Sequence, residues 1–297
     1  MEHLAGQVRD FNRYYTRRIG ILTDRYLGQA RPLGEARLLF EIGTGLEVGA
    51  LRVRLGLDSG YLSRLLRSLE KQRLVHVTPH PGDARARVAH LTDAGSRELE
   101  VLNTRATDTA RELIASLSAM QQEQVVDAMG RLQRLLRLAA VIVAPADPAS
   151  PVARTSLTLF ADELKERFPE GYRNSDLVSA DQIVPPHGVL LVATEDNRPI
   201  GCGAVRILQP PTGEIRHMWV HPDARRMGLG RRLVTDLERH ALDLGVTALR
   251  LGTHETLREA IAMYEALGYT PTSPYGDTTH THCWFAKELT ESNATLG

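Results

Sequence analysis

Cys202 and Cys283 are the only thiols in 297 residues, too few for a disulfide framework, so the chain must rely on packed cores. No apolar run is long enough to cross a bilayer, and the opening Met1-Glu-His-Leu-Ala lacks the basic and apolar stretches of an export signal; a cytoplasmic chain with no membrane partner is expected. Net charge is missing too, since 36 Lys and Arg balance 36 Asp and Glu. The balance hides an asymmetry: residues 1–140 carry 21 basic against 16 acidic side chains, the remainder 15 against 20. There is no internal repeat. One stretch, Val143-Ala-Pro-Ala-Asp-Pro-Ala-Ser-Pro151, replaces a helical pattern with Pro, Ala and Ser and reads as a short stiff linker. Two domains are expected, 1–142 and 152–297, joined by 143–151.

The most informative stretch is Glu214-Ile-Arg-His-Met-Trp-Val-His-Pro-Asp-Ala-Arg-Arg-Met-Gly-Leu-Gly230. Ile215, Met218 and Val220 give a strand pattern that His221-Pro222 stops. Gly228 and Gly230 carry no Cβ, so backbone amides between Arg226 and Arg231 can approach an anion at the positive end of the helix that follows. Leu233, Val234, Leu237, Ala241 and Leu244 continue that helix to Gly245. A second buried strand, residues 248–252, and a helix, 257–267, complete the order strand, phosphate loop, helix, strand, helix.

Arg225-Arg-Met-Gly-Leu-Gly230 after a strand ending in Met218-Trp-Val220, followed by Ala260-Ile-Ala-Met-Tyr-Glu-Ala-Leu-Gly-Tyr269, resembles the GNAT family of N-acetyltransferases across residues 152–289. The resemblance implies an α/β fold with a mixed sheet and acetyl-CoA as co-substrate, without a metal. In that family two neighbouring strands splay apart and the pantetheine arm enters the gap. It implies that the backbone of Met218, Trp219 and Val220 pairs with pantetheine, and that Arg225, Arg226, Met227, Gly228, Leu229, Gly230 and Arg231 hold the pyrophosphate. Tyr264 takes the place of the tyrosine that protonates the leaving thiolate, and Glu214 that of a general base found in some members. Leu257 stands where many members have an asparagine, so one cofactor contact is missing, and the first strand of the fold falls to residues 152–159. The segments 275–287 and Arg167-Phe-Pro-Glu-Gly-Tyr172 resemble those of members acting on small amines or amino acids.

In the N-terminal half, residues 34–42 and 48–55 form two short amphipathic patterns, the second ending at Gly56. A helix with Asp58 or Ser59 as N-cap follows. Leu62, Leu65, Leu66 and Leu69 form its apolar stripe, leaving Tyr61, Ser63, Arg64, Arg67 and Ser68 outward. Two alternating stretches, 74–78 and 87–91, joined by His80-Pro-Gly-Asp-Ala-Arg85, add a winged hairpin. Together with Leu91-Thr-Asp-Ala-Gly95, these residues resemble the MarR family of transcriptional regulators over 4–138. The resemblance implies a mostly α winged helix-turn-helix that binds double-stranded DNA. Ser59, Tyr61, Ser63, Arg64 and Arg67 would face the major groove, and Arg85, oriented by Asp83, the minor groove. Residues 8–26 and 121–138 would pair in a homodimer.

Of eleven histidines, His217, His221, His254, His280 and His282 lack the paired spacings of a zinc site and read as pocket or surface residues. Cys202, between two glycines, reads as a small core residue. Glu214 could instead pair with a neighbouring arginine and leave base chemistry to His217 or a water chain. Phe168, Tyr172, Arg173, Arg206 and Arg216 are the candidate acceptor contacts, the arginines because a guanidinium in a cleft can grip a carboxylate. Three functions remain open: a small-amine acetyltransferase with a DNA-binding domain, a regulator that senses acetyl-CoA, and a protein lysine acetyltransferase recruited to DNA.

Overall fold

The computed structural model describes residues 2–21, 31–169, 171–172, 177–276 and 280–290, apart from the side chains of 84 and 85. The chain divides into two compact units, 1–126 and 127–297. The division falls inside a helix, ahead of the Pro-rich stretch.

In the first unit, α1 (Glu2–Arg18) buries none of its residues, and the remainder of the expected 8–26 helix lies partly outside the described residues. Then come α2 (Leu33–Ile42), a short strand β1 (Leu46–Glu47), α3 (Val48–Leu55) and α4 (Ser59–Lys71). Gly56 ends α3 in the left-handed conformation, and Asp58 caps α4 by accepting from the Tyr61 amide at 2.8 Å. Leu62, Leu65, Leu66 and Leu69 are buried against α2 and α3, each worth roughly 1.5–3 kcal/mol of apolar burial. The hairpin β2 (Val75–His80) and β3 (Asp83–Leu91) forms the wing, and α5 (Asp93–Ile114) starts from the Thr92 cap. Glu35 sits at the junction of α2, α4 and α5. It accepts from Ser68 Oγ at 2.6 Å, Gln72 Nε2 at 3.1 Å and Arg31 at 3.0 Å, while Arg31 also reaches Glu98 at 3.0 Å.

The helix α6 (Ala119–Ala140) leads into the second unit, a seven-stranded sheet in the order β4-β5-β6-β7-β8-β10-β9. Its strands are β4 (Ile142–Pro145), β5 (Gly188–Glu195), β6 (Arg198–Gln209), β7 (Thr212–Val220), β8 (Ala248–Thr253), β9 (Thr270–Pro271) and β10 (Cys283–Glu288). All neighbours are antiparallel except β7 and β8. Side-chain alternation buries both faces: Leu191 and Ala193 join the core under α8 (Leu229–Asp243) and α9 (Arg258–Ala266), while Leu190 and Val192 face α7 (Pro151–Arg167).

Residues 152–159 are not a strand but most of α7, because Ser150 caps it, Pro151 occupies its first turn, and Ala153, Ser156, Phe160, Ala161 and Leu164 bury one face at helical spacing. The first strand is instead β4, which runs from Ile142, the last residue of the expected first domain, into the expected linker, and Ile142–Pro145 pairs with Leu191–Thr194 of β5.

Burial alone would raise the pKa of Glu35, but hydrogen bonds from Ser68 and Gln72 and the charge of Arg31 hold it below its ordinary 4.5. A carboxylate with a depressed folded pKa stabilises the fold above that ordinary value, and the contribution is lost as pH falls through the folded one. Glu35→Ala should cost about 2–4 kcal/mol at pH 7. The advantage of wild type over Glu35→Gln in thermal unfolding should shrink below pH 4.5; an advantage undiminished at pH 3 would contradict this account.

Candidate functional site

The site originates in an irregularity of β7. Cys202 pairs with Trp219 and Ala204 with Arg216, so His217 and Met218 together oppose the single residue Gly203, and His217 takes a left-handed φ of 55°. This is a β-bulge, which bends and twists the strand that carries it. A side chain at Gly203 would have to displace its neighbours: its Cβ would lie 2.5 Å from Met218 Sδ and 2.8 Å from Leu237 Cδ1. On the other edge, β7 pairs with β8 only from Thr212 to Ile215. Residues 216–220 therefore offer a strand edge that no other strand of the described residues pairs with, and the divergence opens a cleft of about 670 Å³.

That edge runs into a turn, Pro222–Ala224, and then into α8. Arg226 and Gly228 both have positive φ, 62° and 96°. The amides of Leu229, Gly230 and Arg231 are the first of the helix and have no acceptor within it. At Gly230 a Cβ would come 3.0 Å from Met263 Sδ, a tight contact that glycine avoids. Met218, Trp219, Val220, Arg225, Arg226, Gly228, Leu229, Gly230 and Arg231 all line the cleft, whereas Met227 turns into the core.

The arginines of the loop differ in availability. Arg225 donates to both oxygens of Glu163 at 2.5 Å and to the Val220 carbonyl at 3.0 Å, so it braces α7 against the loop. Glu163 also accepts from Trp219 Nε1 at 2.9 Å and pairs with Arg167, which reaches Glu259 at 2.6 Å. Arg226 and Arg231 have no ion-pair partner among the described residues.

Tyr264, on α9, lines the cleft and packs edge-on against Tyr269 at 5.8 Å. Burial pushes its pKa up, so it carries its proton at neutral pH. Glu214 is buried at the paired end of β7 and does not line the cleft. Arg206 holds it at 2.6 Å, Arg216 stands 3.7 Å away, and its charge adds to the burial that raises the pKa of Tyr275. Arg206 likewise stays outside the cleft, bonded to Glu214 and to Gln182. Arg216, Phe168 and Tyr172 line it; Arg173 lies outside the described residues.

His217 also lines the cleft. Its Nε2 accepts from the Val178 amide at 3.2 Å, and its Nδ1 is buried without a partner among the described residues. Burial, with the nearby positive charges of Arg216 and Arg206, lowers its pKa to about 3. Cys202 is buried behind the bulge, donates its thiol to the His217 carbonyl at 3.3 Å, and burial pushes its pKa up to about 12. Phe160, Glu163 and Glu259 carry no signal picked out from sequence, whereas His254 is one of the histidines read as pocket or surface residues. The spacing Phe160, Leu164, Phe168 was the available signal, hidden by reading residues 152–159 as a strand.

In the first unit, Tyr61, Ser63, Arg64 and Arg67 are exposed on α4, and Arg64 lies 5.6 Å over the Tyr61 ring. Ser59 is exposed at the helix start, its carbonyl accepting from Ser63 Oγ. Asp83 is exposed where β3 begins; the side chain of Arg85 lies outside the described ones.

A family model described as acetyltransferase (GNAT) family matches residues 157–269, and one described as MarR family matches residues 32–86. An uncharacterized N-acetyltransferase of Schizosaccharomyces pombe is 34% identical over 93 residues, 31% of this chain and 57% of that protein. An IAA acetyltransferase of Azospirillum brasilense is 33% identical over 104 residues, 35% of this chain and 68% of that protein. Among solved structures, wild-type MarR of E. coli is 20% identical with a TM-score of 0.38, covering 42% of this chain and 93% of its own.

The His217 ring should stay neutral throughout the working range. Its imidazole resonances should not titrate between pH 8 and 4.5, and because the unfolded ring titrates near 6.5, its burial should make the fold less stable as pH falls from there toward 3. A His217 titration midpoint near 6.5 in the native protein would refute the burial argument.

Proposed function

Because the chain belongs to the GNAT family of acetyltransferases and carries a MarR-family segment ahead of that domain, we propose that it transfers the acetyl group of acetyl-CoA to a small primary amine and binds duplex DNA as a homodimer. The observation that carries the first part is the divergence of β7 from β8, whose free edge leads directly to the open amides of α8, with Tyr264 in the same wall. The residues suit the co-substrate. Residues 218–220 would pair with the pantetheine amides, and the backbone from Arg226 to Arg231 would hold the pyrophosphate. Bound there, acetyl-CoA supplies the acetyl carbon and the sulfur leaving group.

The amine, after its ammonium proton passes to water, forms the new C–N bond at the acetyl carbonyl as the C–S bond breaks. Tyr264 gives its hydroxyl proton to the departing sulfur, and the second amine proton, passed through water, restores the Tyr264 hydroxyl. Glu214 is engaged by arginine and set back from the cleft, and His217 Nε2 already accepts from Val178, so proton removal falls to water. Arg216, inside the cleft and only distantly paired, is the arginine best placed to hold an acceptor carboxylate.

The DNA half of the proposal is supported by the cationic exposed face of α4 and the wing beside it. Support for the homodimer comes from α1, which exposes Leu4, Val8, Phe11 and Tyr14 along one stripe and buries nothing within its own chain. Acetyl-CoA and DNA both suit a cytoplasmic protein, and no helix among the described residues is long and apolar enough to cross a membrane.

Tyr264→Phe should lower kcat by about 100- to 10,000-fold with little change in acetyl-CoA affinity. Gly228→Val should instead weaken acetyl-CoA binding, because a β-branched residue at a φ of 96° is strained and intrudes on the loop. Unchanged kcat in the first variant, or tight calorimetric binding in the second, would sink the assignment.

DNA binding should weaken steeply with salt, and Arg64→Ala or Arg85→Ala should each cost roughly 1–3 kcal/mol on the preferred sequence. Salt-insensitive binding, unaffected by both substitutions, would leave this unit a dimerisation module only.

A further inference from the structure

Beyond the stretch that suits the co-substrate, the wall of the cleft carries a group of rings: Phe160, Phe168, Tyr172, His217, His254 and His280. They touch one another. Phe168 stacks on His254 at 4.3 Å with 22° between planes and meets Tyr172 edge-on at 6.1 Å. Phe160 meets Tyr172 at 5.7 Å and His217 at 5.4 Å, both edge-on, and Tyr172 lies 5.3 Å from His280. Such a surface favours another flat ring over a flexible aliphatic chain, because edge-to-face and offset contacts add attraction beyond area burial.

Charge in the same wall narrows the acceptor further. The carboxylates among the described lining residues, Glu163 and Glu259, are already neutralised by Arg225 and Arg167. A polycationic amine would find no free carboxylate there, and displacing a paired arginine would leave that guanidinium unsatisfied. Arg216 is the exception among the charged groups. Its carboxylate neighbour, Glu214, stands 3.7 Å away and is held more closely by Arg206, so its donors are available to an anion. Close by in sequence, His217 Nδ1 is a buried donor without a partner among the described residues.

We propose that the acceptor is an aromatic α-amino acid. This rests on the acetyltransferase reading above and deepens it. The acceptor's ring lies against Phe168 and Tyr172, its carboxylate pairs with Arg216, and the α-amine between these two anchors faces the acetyl carbonyl at the diverging strands. The reaction joins that nitrogen to the acetyl group and releases CoA as the thiol, giving an N-acetyl amino acid whose carboxylate is untouched.

The test uses the full chain with acetyl-CoA and follows thiol release with phenylalanine, phenethylamine, alanine and spermidine. Calorimetric titration of phenylalanine into protein saturated with CoA runs alongside. Phenylalanine should exceed alanine and spermidine in kcat/KM by at least tenfold and should bind measurably without turnover. Arg216→Gln should lower kcat/KM for phenylalanine about 10- to 100-fold while changing phenethylamine by no more than about twofold. Phe168→Leu, which keeps apolar volume but removes the ring, should narrow the preference for phenylalanine over alanine roughly three- to tenfold. Equal or better use of alanine or spermidine overturns the aromatic assignment while leaving acetyl transfer intact. Equal losses for phenylalanine and phenethylamine in Arg216→Gln overturn the carboxylate anchor. If no amine is acetylated and acetyl-CoA does not bind, the enzyme reading itself fails, whereas absent phenylalanine binding to a protein that does bind CoA rejects only this proposal.

Discussion

One extra residue in β7 governs the second unit. With His217 and Met218 set against Gly203, the strand turns away from β8 after Ile215, and the separation leaves both a backbone edge and a cleft. Neighbouring chemistry is arranged around that break. Gly203 makes room for Met218, Cys202 satisfies the His217 carbonyl, and the His217 ring joins the wall that the bulge exposes. A regular ladder through residue 220 would keep the sheet intact and give no site. The bulge places a local irregularity where the edge of β7 is left open.

Both units use a shielded carboxylate in a similar manner, buried in the first and half-buried in the second. Glu35 ties α2 to α4 and, through Arg31, to α5, while Glu163 ties α7 to the loop before α8 and, through Arg167, to α9. In each case a carboxylate collects several donors, so charge that would be costly to bury alone becomes a joint between elements. Such joints fix where helices meet more sharply than apolar contact does, because hydrogen bonds are directional. In the second unit the same joint also positions the aromatic face of α7 over the cleft.

Much of this was legible in the sequence where local rules suffice. The Gly228 and Gly230 loop, the Leu62 to Leu69 stripe and the Asp58 cap follow from steric freedom, helical period and capping, none of which needs distant partners. Residues 142–159 were misread because both alternatives are short and apolar. Pro145 and Pro148 gave the stretch its linker character although Ile142–Pro145 pairs with β5, and Val152 to Leu159 mixes β-branched with helix-forming residues. Tertiary contact decided both. The cleft wall was partly hidden for the same cause, since Phe160 faces the site only if residue 152 begins a helical face. The set-back position of Glu214 was not readable at all: it depends on how far β7 and β8 stay paired, which is a property of two strands.

The two thiols end in contrasting situations. Cys202 is enclosed in the core with its hydrogen turned to a backbone oxygen, while Cys283 is only partly covered and opens β10 opposite Thr253, which lines the cleft. A maleimide or nitroxide reagent thus has a single practical point of attachment on the native chain. That point lies next to Thr253 in the cleft wall, so an unmodified sequence already carries a place for a fluorescent or spin label where occupancy of the cleft would be felt.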